Sequence, residues 1–187
     1  MKLLRSFMRN KWEENRGKSL EDYLTDPITK CTKTMGNTLS VWAGDYELDF
    51  SEEDVLKLPT ETKELIVAFA ASMQRPDSID LIWLDGKKLT EQNIDLRATP
   101  GDTKFLKMVD SHRDIDKLTF SKLGIVSEHL VNQLDDNKNY CRVTKNELLK
   151  LVVEVSRLNE EFKLDSLKPD WAKHIEKFLA NEKNKGN

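Results

Sequence analysis

The sequence predicts an α+β fold, predominantly α-helical, in a single domain with a small antiparallel β-sheet in its first half. Three observations lead there. Only 7 glycines and 5 prolines interrupt 187 residues, which favours helices joined by short loops over a many-stranded sandwich. Helix-start signals recur at Asp26-Pro27, Thr60, Thr144 and Pro169. Strand-like alternation is confined to about residues 38–90.

The opening segment "MKLLRSFMRNKW" places Leu3, Leu4, Phe7, Met8 and Trp12 on one helical face, with Lys2, Arg5, Arg9 and Lys11 elsewhere. It predicts a first amphipathic helix that docks its apolar stripe on the core. Asp26-Pro27 opens a short helix toward Met35 that stops at Gly36. "TLSVWAGDYELDF" alternates around Gly44-Asp45 and reads as a hairpin. Ser51 and Asp54 begin a helical signal that Pro59 ends, and Thr60 opens the apolar run Leu65–Ala71, a buried helix. "SIDLIWLDGKKLT" reads as a strand entering an Asp85-Gly86 hairpin turn. Two helical pieces are expected between Thr103 and Leu134, split near His112 and Gly124. Thr144 and Glu147 form a capping box for a helix over roughly 145–163. Pro169 opens the last helix, with Trp171, Ile175, Phe178 and Leu179 on its face, and the terminal "NEKNKGN" should fray. One domain spans 1–187; the subdivision to weigh against it falls near Pro100-Gly101, with an α+β part over 1–100 and a helical part over 101–187.

Composition bounds the function. Net charge is −3 with 34% charged residues, so nothing demands a polyanionic partner. Cys31 and Cys141 form no CxxC pair, and no Asn-x-Ser/Thr acceptor is present. These features predict a reduced, cytoplasmic chain. No apolar run approaches the roughly 20 residues of a transmembrane helix. Arg5 and Arg9 break the stretch that a secretory signal needs. No cofactor or metal is expected.

Chemical motifs fall short of their usual geometry. "LTFSKLGIVSEHLVNQL", residues 118–134, resembles a helix-turn-helix, with Gly124 at the turn and Ser127 starting the second helix. Yet residues 127–136 contain no Lys or Arg, and phosphate neutralisation carries most DNA affinity. Asn132 and Gln133 have the chemistry to read adenine only after other groups dock the protein. Asp77 and Asp85-Gly86-Lys87 spell a nuclease-like PD…DxK pattern. An extended strand would hold the two carboxylates roughly 26 Å apart, too far for one metal. "VDSHRDID" contains Ser111, His112 and Asp114, but neighbours in sequence rarely converge on one reacting atom, so a polar capping loop is expected. His129 and His174 have no metal partner in helical reach, and Gly17-Lys18-Ser19 lacks the first glycine of a phosphate loop.

Residues 34–60 concentrate six acids against one lysine. With Asp45–Phe50 as a strand, Asp45, Glu47 and Asp49 share the solvent face while Tyr46, Leu48 and Phe50 face the core. The leading functional reading is therefore a soluble, non-catalytic protein-binding module: an inhibitor, an immunity-type protein or a subunit of a complex. It would bind a basic protein partner through Asp45, Glu47, Asp49, Glu52, Glu53 and Asp54. The second reading is a nucleic-acid-binding regulator using Asn132, Gln133, Arg5, Arg9 and Lys11. An enzyme ranks third.

Overall fold

In the computed structural model, which describes residues 1–32, 36–45, 47–52 and 54–185, six strands form one antiparallel sheet. They are β1 (Lys2–Phe7), β2 (Leu39–Gly44), β3 (Ile79–Asp85), β4 (Asp95–Ala98), β5 (His112–Asp116) and β6 (Tyr140–Val143). Their order across the sheet is β4-β5-β2-β1-β3-β6. Helix accounts for 52% and strand for 18% of the described residues. The α+β class holds, but the fold is mixed and not predominantly helical, and the sheet is neither small nor confined to the first half, because β5 and β6 follow residue 100.

The helices are α1 (Arg9–Glu13), α2 (Thr25–Cys31), α3 (Thr60–Ser72), α4 (Gly86–Glu91), α5 (Phe120–Gln133), α6 (Lys145–Leu158) and α7 (Pro169–Lys185). The sheet separates two apolar clusters. On one face Leu4, Trp42, Leu81 and Trp83 pack with Leu65 and Ile66 of α3, Leu148 and Val152 of α6, and Trp171 and Ile175 of α7. On the other face Leu3, Phe7, Ile82 and Leu84 pack with Trp12, Cys31, Leu89, Val126 and Leu130. Both faces of an antiparallel sheet are thus covered, giving three layers.

The register explains why β1 is a strand and not a helix. Leu3, Arg5 and Phe7 lie opposite Leu84, Ile82 and Asp80, while Leu4 lies opposite Trp83. Leu3 and Leu4 are both fully buried, on opposite faces. A short strand buried on both sides shows no alternation, so its apolar spacing also satisfies a helical wheel. The helix expected over residues 1–12 is corrected to β1 followed by one turn, α1.

Other expectations change for local reasons. Asp85-Gly86 is no hairpin turn: the Asp85 carboxylate accepts from the N–H groups of Lys87 (2.9 Å) and Lys88 (3.1 Å) and caps α4. Residues 45–50 form no second strand among the described residues; β2 ends at Gly44. A Cβ at Gly44 would come within 2.5 Å of Leu48 and Leu65 side-chain atoms, so the bare glycine makes room for both side chains where β2 ends. Gly124 sits inside α5, which runs unbroken from Phe120 to Gln133. A Cβ at Gly124 would lie 3.0 Å from Leu20, so this glycine serves close packing and makes no turn. The helix expected before His112 is a 3-10 segment, Leu106–Ser111, and His112–Asp116 is β5. The signal at 51–59 shrinks to a 3-10 turn over Val55–Lys57. The predicted end of α2 at Met35 lies outside the described residues.

The capping box at α6 is present: Glu147 N–H donates to Thr144 Oγ1 (3.3 Å) and Thr144 N–H donates to Glu147 Oε2 (2.7 Å). The Trp171 indole N–H donates to the Met73 carbonyl (3.2 Å) and Lys168 to that of Ser72 (2.9 Å), fastening the start of α7 to the end of α3. Edge strands carry charge, with Arg97 of β4 near Asp114 and Asp116 and Arg142 of β6 on Asp80. Such charges oppose edge-to-edge pairing.

Val152 is fully buried in the middle of α6. Val152→Asp should cost more than about 3 kcal/mol, because it buries an unpaired carboxylate. Urea unfolding measures the loss; an unchanged midpoint would place α6 outside the core.

Candidate functional site

The register at one end of the sheet brings distant residues together. Lys2 of β1 pairs with Asp85 of β3. On the other side of β3 the ladder with β6 stops at Ile82–Tyr140, so residues 83–85 have no strand partner there. His129 of α5 fills part of the gap: the Asp85 backbone N–H donates to its Nε2 at 2.9 Å. The 3-10 turn Asn137–Asn139 closes the rest. Between these pieces lies a cleft of about 310 Å3, lined by Lys2, Trp83, Leu84, Asp85, Lys88, Asn132, Gln133 and Asn139. Trp83 stacks on Phe50 with ring centroids 5.2 Å apart. The Phe50 N–H donates to the Lys138 carbonyl at 2.8 Å, which docks the acidic segment beside the cleft.

That segment holds its acids in a loop and not on a strand face. Leu48 and Phe50 are buried as expected, and Tyr46 lies outside the described residues. Asp45, Glu47 and Glu52 are exposed, and Asp49 and Asp54 are half-buried. Glu53 lies outside the described residues. Asp54 caps the turn at Val55, accepting from Leu56 N–H at 3.0 Å. Partial burial pushes the Asp49 carboxyl up, but bonding from Ser51 with Lys2 and Lys138 nearby outweighs it and holds the group below its usual value. Around Lys2 lie Asp49, Asp136, Asp85 and Glu47; burial is the larger influence and lowers its ammonium pKa.

The residues of the nucleic-acid reading do not form one surface. The Arg5 guanidinium is turned inward, donating to the carbonyls of Ser40 (2.6 Å) and Cys31 (2.9 Å). Arg9 pairs with Glu13 at 2.7 Å and lies over the Tyr140 ring. Lys11 is 3.6 Å from Asp26. Asn132 and Gln133 occupy the last turn of the continuous helix α5 and line the cleft.

A larger cavity, about 680 Å3, opens at the other end of α5 between Leu20, Tyr23, Ile28, Phe120 and Leu123. Phe120 is 93% exposed. Two of its wall hydroxyls are turned to their own helices: Ser127 donates to Leu123 O (2.8 Å) and Thr29 to Thr25 O (3.0 Å). Sequence reasoning missed both cavities, since no local pattern joins residues 2, 83, 88 and 132, or 20 and 120.

Among the described residues no group of three or more His, Cys, Asp or Glu side chains is placed to hold a metal ion. No helix there is long and apolar enough to cross a membrane. No family model, curated protein or solved structure matches the chain.

Burial lowers the His129 pKa from 6.5 to about 4, so near neutral pH the ring is uncharged and Nε2 accepts. The depressed folded-state value means that this contribution is complete above pH 6.5 and is lost as pH falls toward 4. Melting temperature should therefore fall across that window. His129→Gln, measured by calorimetry, should lower stability at pH 7 and flatten the fall; an equally steep fall in the variant would assign it to other groups.

Proposed function

We propose that this chain is a non-catalytic protein-binding module that meets a basic partner through the acidic segment 45–54. The observation that carries this reading is how the segment is held. Leu48 and Phe50 are buried while Asp45, Glu47 and Glu52 stay exposed, so an anchored loop presents carboxylates of one sign to solvent. A patch of one sign speeds encounter with an oppositely charged surface and disfavours wrong partners. The inward-turned Arg5 and the ion-paired Arg9 and Lys11 support a protein over a nucleic acid as partner, because phosphate contacts need free cations. In this reading the partner is an enzyme or a complex component that the chain inhibits or joins, in the cytoplasm.

The test is capture of partners from native cells, with and without nuclease, using the wild type and the variant Asp45→Asn/Glu47→Gln/Glu52→Gln. A nuclease-resistant protein partner is expected, and the variant should bind it more slowly, with a deficit that shrinks as salt rises. The variant's stability should change by less than about 0.5 kcal/mol per site, as surface substitutions usually do. Equal association rates for the two proteins would remove the patch from recognition.

A further inference from the structure

The cavity at the N-terminal end of α5 is apolar inside and charged on one side only. Its walls are the 3-10 turn Leu20–Asp22, α2 and the start of α5. Leu20, Tyr23, Ile28, Phe120 and Leu123 line it. Phe120 is 93% exposed and Leu20 40%, so its carbon surface is open to solvent. The Ser127 and Thr29 hydroxyls on the wall spend their protons on carbonyls of their own helices. The volume, about 680 Å3, falls within the range of roughly 300–1,000 Å3 typical of pockets for small ligands. A mostly apolar lining with a few polar groups at one side is the common form of such pockets.

The charges around it do not balance. Glu21 is the one charged side chain on the lining, and it makes no ion pair among the described residues. Each wall helix carries a single lysine, and both are engaged: Lys30 of α2 with Asp26 at 3.0 Å and Lys122 of α5 with Asp95 at 2.9 Å. Lys18 precedes the first wall and does not line the cavity. Glu128 stands four residues after Gly124, on the same stripe of α5. It is exposed and also without an ion pair among the described residues. Its field reaches the cavity, because the Tyr23 phenol pKa is raised by burial first and by Glu128 second. A ligand ending in a carboxylate would meet two like charges there, whereas one ending in a cation would be drawn in.

We propose that this cavity binds a small amphiphilic cation, an alkyl or aryl chain that ends in a primary ammonium group. The chain lies against Leu20, Ile28, Phe120 and Leu123, and the ammonium stands on the side of Glu21 and Glu128. The site does not depend on the protein-partner reading, since it shares no residue with the acidic segment 45–54 and takes a different ligand.

The test uses the full chain labelled with 15N, with its seven glycine amide resonances assigned by triple-resonance spectroscopy. Dodecylamine, dodecanoate and dodecanol are titrated separately, each below the concentration at which it forms micelles. The expected result is a saturable shift of the Gly124 amide with dodecylamine, while Gly44 and Gly101 stay in place. Dodecanoate should bind at least about tenfold more weakly. Glu21 and Glu128 are exposed, so the variant Glu21→Gln/Glu128→Gln should keep the melting temperature, still bind dodecanol and lose the preference for the amine. No shift of Gly124 with dodecylamine would overturn the proposal, as a cavity filled by a partner's apolar side chain would predict. Equal or tighter binding of dodecanoate, or a preference for the amine that survives in the variant, would overturn the cation assignment. Shifts at Gly44 and Gly101 that match the shift at Gly124 would mean that the amine coats the surface, and would overturn the site.

Discussion

The fold turns on what the Arg5 guanidinium does in the middle of the sheet. β1 lies between β2 and β3, so it joins the β4-β5-β2 half of the sheet to the β3-β6 half. Its ladder with β2 extends only from Lys2–Gly44 to Leu4–Trp42. Where that ladder ends, Arg5 reaches across to the carbonyls of Ser40 and Cys31, tying β1 to β2 and to the last turn of α2. Burial lowers its pKa to about 10, so the group remains a cation. Its charge is met by the Ser40 carbonyl of β2 and by the Cys31 carbonyl at the C-terminus of α2, where the backbone dipole is negative. The Met8 N–H donates to the Cys31 sulfur at 3.2 Å and closes the same joint. A lysine would carry the charge but lacks the planar fork that reaches two carbonyls at once.

This arginine also shows why the first segment reads wrongly in sequence. Charges at Arg5 and Arg9 suggest a solvated helical face, but only Arg9 has one; Arg5 is a polar group inside a strand buried on both sides. β5 and β6 were equally hidden. "HRDID" and "YCRV" are short and carry polar side chains, and they become strands because β2 and β3 offer them paired edges. Signals local to one element were legible: the Thr144/Glu147 box, the apolar run of α3, the face of α7 and the strand at 79–85. Asp85-Gly86 was half legible, because Asp before a polar turn caps a helix as readily as it opens a hairpin.

The acidic segment was visible from composition, and the burial of Leu48 and Phe50 from their spacing. The loop in place of a strand was not, since the closeness of Leu48 and Leu65 at Gly44 joins residues that no local pattern links. The cleft was wholly invisible. Its residues come from β1, β3, α4, α5 and the turn before β6, and only the register Lys2–Asp85 and the early end of β6 bring them together.

The central place of β1 has a kinetic meaning. Its neighbours pair through residues 39–44 and 79–85, and the outermost strand on one side comes from 140–143. The β1–β3 pair joins residues 2–7 to residues 80–85, the widest sequence separation of any strand pair among the described residues. Such non-local pairing is entropically slow to close. Arg5, Ser6 and Phe7 gain a ladder only from β3, since β2 pairs with Lys2–Leu4 alone. Closing β1 on β3 therefore carries the largest loop-closure entropy of the strand pairs in this sheet.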